Sequence, residues 1–140
     1  MFHRPLKKHH RVDPDQPVWQ QVETLTRVLG EDRGSLVIAS TDLSHFHNDA
    51  KAKELDREFI RKVEAYDPEG LSRALSGGTC EACGGGPVVT AMIFAEKAGA
   101  RGVQVLHYAN SGDVTGERRQ VVGYLSAAFY RESAGGRGAE

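Results

Sequence analysis

The sequence has no long apolar run, few cysteines and little excess charge, and each shortage excludes a class of protein. No segment approaches the roughly 20 consecutive apolar residues that cross a bilayer. The basic first residues, MFHRPLKKHHR, lack the apolar core of a secretory signal. We therefore predict a cytoplasmic protein with no membrane partner. The 18 basic and 19 acidic residues leave a formal charge of −1, which indicates no nucleic-acid partner.

A length of 140 residues predicts one domain with a substantial core. Residues 1–16 show no helical or strand periodicity and are predicted to form a disordered or irregular arm. Residues 17–131 are predicted to form an α/β domain. Residues 132–140 are charged and rich in glycine, which is typical of a flexible tail.

Apolar periodicity predicts the elements of this domain. The spacing predicts helices over residues 17–29, 49–66, 68–75 and 88–98 and strands over residues 36–39, 103–109 and 120–129. The order of helices and strands indicates an α/β fold in which helices pack on a layered sheet. The short apolar run Leu36–Ala39 does not alternate with polar residues, which is typical of a strand buried in a parallel sheet.

A polar cluster follows this predicted strand. The polar residues that come directly after the apolar run, where open α/β sheets place their ligand crevices, are Ser40, Thr41, Asp42, Ser44, His45 and His47. The cluster therefore predicts a functional site. The alternative is that Asp42 or Ser44 caps a turn and that the histidines are only solvated.

The two cysteines lie in a glycine-rich segment. Cys80 and Cys83 stand three residues apart within SGGTCEACGGGP, in a sequence with no secretion signal, which favours thiolate chemistry or metal binding over a disulfide. Pro87 is predicted to begin the next helix, so Cys83 lies just before a helix N-terminus. The positive end of a helix favours a thiolate or a bound anion there.

Four interpretations of these residues remain open from their types and spacing. Thiolate, imidazole and carboxylate donors suit iron, copper or zinc. The C-x-x-C pair is also compatible with a redox dithiol or with half of a structural zinc site completed by His45 and His47. Finally, Cys83, His45 and Asp42 have the residue types of a nucleophile, a base and an orienting carboxylate.

Several longer strings resemble one family. STDLSHFH, LDREFIRKVEAYDPEGL, CEACGGGPV, YANSGDVTG and VVGYLSAAF occur in this order in the sequence. Together they resemble the carboxyl-terminal half of the Memo proteins, whose prokaryotic members are called AmmeMemoRadiSam system protein B. The resemblance covers about residues 17–130.

The resemblance implies a fold similar to class III extradiol ring-cleaving dioxygenases, which use non-haem iron. It implies that Cys83 is a metal ligand and that Asp42 and His45 line the same pocket as catalytic groups. The implied cofactor is an iron or copper ion, with redox or dioxygenase-like chemistry. A non-catalytic module that binds a peptide or protein in the same crevice is the alternative that the resemblance implies.

One departure from the family shapes these expectations. The two upstream motifs that supply ligand histidines in Memo proteins have no match before Pro17. We therefore expect the sequence to represent a truncated Memo protein. This predicts weak metal binding by the chain alone. It also predicts association with a partner chain or with itself through an exposed sheet edge.

Overall fold

The computed structural model describes residues 17–132, and the predicted arm and residues 133–140 of the predicted tail lie outside this range. Within it, helices and a sheet form a layered α/β fold, as the sequence predicts. The helices are α1 (Pro17–Leu29), α2 (Asp49–Glu64), α3 (Pro68–Ser76), α4 (Gly85–Lys97) and the short α5 (Gly112–Thr115), and the strands are β1 (His45–His47), β2 (Gly102–Asn110) and β3 (Val121–Tyr130).

Side-chain caps fix where two of the helices begin. The Asn48 side chain accepts a hydrogen bond of 3.0 Å from the backbone N–H of Lys51 at the start of α2. Asp67 does the same for Gly70 at the start of α3, with a bond of 2.8 Å. These bonds satisfy backbone donors that have no partner inside a helix, so the local sequence defines both N-termini.

The sheet is antiparallel, and the predicted parallel sheet is wrong. Its strand order is β1-β3-β2, and β3 pairs antiparallel with both neighbours. Only residues 111–120 join β2 to β3. A parallel pair needs a crossover of a dozen or more residues, whereas a connection this short suits an antiparallel pair.

The predicted strand over Leu36–Ala39 is also wrong. This segment has no strand partner among residues 17–132, and its backbone groups form no hydrogen bond with that part of the chain. Its side chains alternate: Leu36 and Ile38 are 82% and 77% exposed, whereas Val37 and Ala39 are half-buried. An apolar run predicts that a segment favours a strand, but a strand forms only where another strand pairs with it.

The core lies between the helices and one face of the sheet. Phe59 and Val63 of α2, Leu71 of α3 and Met92 of α4 are almost completely buried and form its centre. Leu125 and other apolar residues of β2 and β3 pack against them. Within residues 17–132, no helix is long and apolar enough to cross a membrane.

Candidate functional site

Two distant segments meet at the predicted site. We call the connection between α3 and α4, residues 77–84, the cysteine loop. The N–H of Cys83 donates to the carbonyl of Asp42 (3.2 Å), and the N–H of Asp42 donates to Sγ of Cys83 (3.3 Å). The N–H of Gly84 donates to Oγ1 of Thr41 (2.7 Å). Segments 41 residues apart are thus held side by side by three hydrogen bonds, in each of which a backbone N–H is the donor.

The start of α4 depends on this approach. The helix begins at Gly85, three residues before the predicted start, with Gly84 as its N-cap. A Cβ atom on Gly84 would lie 2.8 Å from Cβ of Thr41, so this position has no room for a side chain. The cysteine loop therefore needs glycine where it contacts residues 40 and 41.

Three metal-capable side chains come together here. One donor atom from each of Asp42, His45 and Cys83 can be chosen so that all three lie within 4.8 Å of one another. Nε2 of His45 is 3.6 Å from Oδ2 of Asp42. The two side chains are 34% and 50% exposed, and Cys83 is exposed as well. The cluster is therefore accessible from solvent without movement of the fold.

The residues between Asp42 and His45 are anchored in the interior. Leu43 and Ser44 are both completely buried. Leu43 and Ser44 also exchange hydrogen bonds with the backbone of Gly123 in β3, at 2.8 and 3.0 Å. Because the two central residues of this short segment are fixed, the side chains at its ends are held at the surface beside Cys83.

A β-bulge separates the two histidines of β1. The register with β3 shifts between His45 and His47, and Phe46 has a φ of 61° and is 71% exposed. His47 is therefore turned to a different partner: its Nε2 lies 2.9 Å from Oε2 of Glu81 in the cysteine loop. Bulges commonly redirect side chains beside active sites.

Of the five predicted donors, His47 and Cys80 do not join the cluster. Cys80 is 1% exposed and belongs to the hydrophobic core. Burial raises the pKa of its thiol to about 11. Its role in this structure is therefore packing, whereas Cys83 is the accessible thiol of the pair.

The arrangement supports two kinds of chemistry. Thiolate sulfur, imidazole nitrogen and carboxylate oxygen together suit a transition-metal ion. The same three groups are also the nucleophile, base and orienting carboxylate of a metal-free mechanism. Within residues 17–132 this is the one cluster of three such residues close enough to hold a metal ion.

Comparison with known proteins identifies the family. A model of the Memo-like protein family matches residues 15–128. The chain belongs to the Memo family. It is 37% identical over 100 residues to a MEMO1 family protein of Methanopyrus kandleri, which covers 71% of this chain and 35% of the relative. It is 32% identical over 123 residues to a MEMO1 family protein of Caldivirga maquilingensis, covering 81% and 44%.

A third relative has a similar identity and a similar share of matched residues. A MEMO1 family protein of Sulfolobus acidocaldarius is 40% identical over 94 residues, which are 67% of this chain and 33% of that protein. The chain thus spans between a third and a little under half of the length of these Memo relatives. The family predicted from the sequence motifs is confirmed.

Sequence reasoning gave no specific role to three residues that build this site. Thr41 accepts the N–H of Gly84, Glu81 pairs with His47, and Asp56 accepts the N–H of Ser44 at 3.0 Å. Only Asp56 left a signal in the sequence. It stands four residues after Ala52 and three before Phe59, which places a carboxylate on the apolar face of α2.

Proposed function

We propose that this Memo chain binds an iron or copper ion at Asp42, His45 and Cys83 and that the site supports redox or dioxygenase-like chemistry. The observation that carries the proposal is the mutual distance of the three donor atoms, all within 4.8 Å. Donors around one ion are separated by a few ångströms, because each bond to the metal is about 2 Å long.

The chemistry of the donors fits such an ion. Sulfur ligands favour copper(I), iron and zinc, and imidazole suits iron and copper. Cys83 is proposed as the ligand that holds the metal, with His45 and Asp42 beside it. The N–H of Asp42 points at Sγ of Cys83 and stabilises negative charge on that sulfur.

A bound iron or copper ion would supply one-electron and oxygen chemistry. The protein supplies the remaining functions. His45 is placed to accept or donate a proton beside the ion, and its Nε2 lies 3.6 Å from Oδ2 of Asp42. The exposed position of the cluster gives a small substrate direct access.

Metal titration of the purified full chain tests this proposal. Cobalt(II) is a suitable probe, since a thiolate ligand gives a charge-transfer band in the near ultraviolet; binding of iron(II) and copper(I) is then measured by competition. We expect Cys83→Ala to abolish the band and His45→Ala to weaken binding, whereas Cys80→Ala keeps both. Cys80 is the matched control because it lies in the same loop but is buried. Equal metal binding by Cys83→Ala and the unaltered chain would overturn the proposal.

A specific observation favours a second function, binding of another polypeptide. The segment Leu36–Ala39 offers backbone groups that form no hydrogen bond within residues 17–132, together with the exposed side chains of Leu36 and Ile38, a few residues before the site. An extended polypeptide binds such an edge by adding a strand to it. The partner is either another protein segment or a second copy of this chain.

Sedimentation and peptide-binding measurements distinguish these partners. If copies associate, the sedimentation coefficient rises with concentration, and Ile38→Lys abolishes the rise. The control is Val114→Lys, which changes a side chain that is 90% exposed on α5. A chain that stays monomeric and retains no extended peptide would exclude this function.

A further inference from the structure

A buried carboxylate connects α2 to the sheet directly behind the candidate site. Asp56 is completely buried. Its Oδ1 accepts the backbone N–H of Ser44 at 3.0 Å, and its Oδ2 accepts the hydroxyl of Tyr108 in β2 at 2.7 Å. Both carboxylate oxygens therefore have a protein partner, as a buried charge requires.

The same carboxylate touches the third strand. A Cβ atom on Gly123 would lie 2.7 Å from the carboxyl carbon of Asp56, so the side chain rests on the bare backbone of β3. Gly123 is the residue that exchanges backbone hydrogen bonds with Leu43 and Ser44. Asp56 thus holds Ser44 by a hydrogen bond and Gly123 by close packing, and these are two of the residues that pair here.

The two residues that bond to Gly123, Leu43 and Ser44, lie in the sequence between Asp42 and His45, the proposed acid–base residues of the site. Asp42 precedes Leu43, and His45 follows Ser44. The side chain of Ser44 adds no hydrogen bond to the anchoring, because its buried Oγ has no hydrogen-bond partner among residues 17–132. The backbone N–H of Ser44, held by Asp56, is what ties this end of the segment to α2.

We propose that Asp56 is a positioning residue that holds Asp42 and His45 in register with Cys83. This inference rests on the proposed metal site and extends it to a group that does not touch the metal. If the hydrogen bond to Ser44 is lost, the segment from 42 to 45 is free to shift against β3, whereas the other end of the cysteine loop stays bonded to α3, where the N–H of Thr79 donates to the carbonyl of Ala74 at 3.0 Å. Residues that orient ligands in this way typically change metal affinity by roughly ten- to a hundredfold.

Asp56→Ala is the informative variant, because it removes the acceptor of the Ser44 N–H. Asp56→Asn is its conservative counterpart: the amide oxygen can still accept the N–H of Ser44, while the NH₂ group faces the Tyr108 hydroxyl, which has to turn from donor to acceptor. If Asp56→Ala does not fold, Asp56→Leu, which has nearly the shape of the aspartate side chain and no acceptor, takes its place.

The control is Asp67→Ala, which removes another structural carboxylate, the cap of α3. It allows a general loss of stability to be separated from an effect on the site. For each variant we would measure the urea midpoint, the cobalt(II) affinity and charge-transfer band, and the NMR signals of the Asp42 amide and the His45 ring. The NMR signals report positioning whether or not metal binds.

We expect Asp56→Ala to weaken cobalt binding roughly tenfold or more and to shift both NMR signals. Asp56→Asn, which keeps an acceptor for the N–H of Ser44, should do the same to a smaller extent, and Asp67→Ala should do neither at a comparable loss of stability. Unchanged signals and affinity in Asp56→Ala, with binding lost in Cys83→Ala, would overturn the positioning role alone. If neither the unaltered chain nor any variant binds metal, the proposed function fails, and the NMR signals decide the positioning role by themselves.

Discussion

Nε2 of His47 lies 2.9 Å from Oε2 of Glu81, so a contact between two side chains joins β1 to the cysteine loop. The side chains of His47 and Glu81 are 34% and 42% exposed, and an ion pair in such a position contributes little to stability. Its effect is instead local. The contact between His47 and Glu81 links β1 to the cysteine loop, and the distance between these two segments decides whether His45 and Cys83 come together at the site.

Glu81→Ala should therefore loosen the cysteine loop without unfolding the protein. We expect the free energy of unfolding to fall by less than about 1 kcal/mol. The amide of Cys83, which donates to the carbonyl of Asp42, should exchange its hydrogen faster. Hydrogen exchange followed by NMR measures this. Glu54→Ala breaks the Lys51–Glu54 pair on α2 and should leave that amide unchanged; equal exchange in all three proteins would contradict the prediction.

Gly84→Ala should destabilise the protein more than Gly86→Ala. The methyl group added by Gly84→Ala would collide with Thr41 and the backbone of Ser40, and overpacking of this kind costs about 1–3 kcal/mol. At Gly86 the nearest atom is 4.0 Å away, so a methyl group has room, and only the preference of a residue before Pro87 for a non-helical conformation opposes the change. Urea denaturation compares the two variants. A stable Gly84→Ala protein would show that the cysteine loop can move away from Thr41.

Phe46 should tolerate glycine better than valine. An L-residue in the left-handed conformation costs roughly 1–2 kcal/mol, and Phe46, with a φ of 61°, recovers little by packing because it is 71% exposed. We expect Phe46→Gly to change stability by no more than about 1 kcal/mol in either direction, since the relief of strain offsets the extra freedom of the unfolded chain. Phe46→Val, which is β-branched, should be the less stable of the two. The reverse order in a thermal scan would refute this.

The parts of the fold that depend on residues close together in the sequence could be predicted. Helices α1, α2 and α3 follow from apolar spacing and from the caps at Asn48 and Asp67, and strands β2 and β3 from their alternation. The segment Leu36–Ala39 could not be predicted in this way. Its state depends on whether another strand lies beside it, and local sequence carries no information about that.

The candidate site, too, could be predicted from the sequence only in part. The residue types of Asp42, His45 and Cys83 predicted metal chemistry, and the family motifs selected these three from the other polar residues. Their proximity required the contact between Asp42 and Cys83, which joins segments 41 residues apart. The separation of His45 from His47 required a bulge at Phe46, and phenylalanine gives no sign of a left-handed conformation.

The last prediction concerns the buried thiol, Cys80. Its pKa is raised from 9.0 to about 11, first because burial disfavours the thiolate and then because of the nearby negative charge of Glu58. The unfolded chain loses this proton near pH 9, whereas the folded chain keeps it until about pH 11. Below pH 9 the contribution of the buried thiol is fully present, and it is lost as the pH rises through this interval.

The free energy of unfolding should therefore fall between about pH 9 and pH 11 more steeply in the unaltered chain than in Cys80→Ala. Urea denaturation at closely spaced pH values measures the two slopes. Cys80→Ala starts from a lower stability because it leaves a small cavity, so the slopes and not the absolute values are compared. Cys83→Ala, which removes an exposed thiol from the same loop, should keep the slope of the unaltered chain. Parallel curves for the unaltered chain and Cys80→Ala would mean that the buried thiol does not govern alkaline stability, because lysine and tyrosine titrations are common to all three proteins.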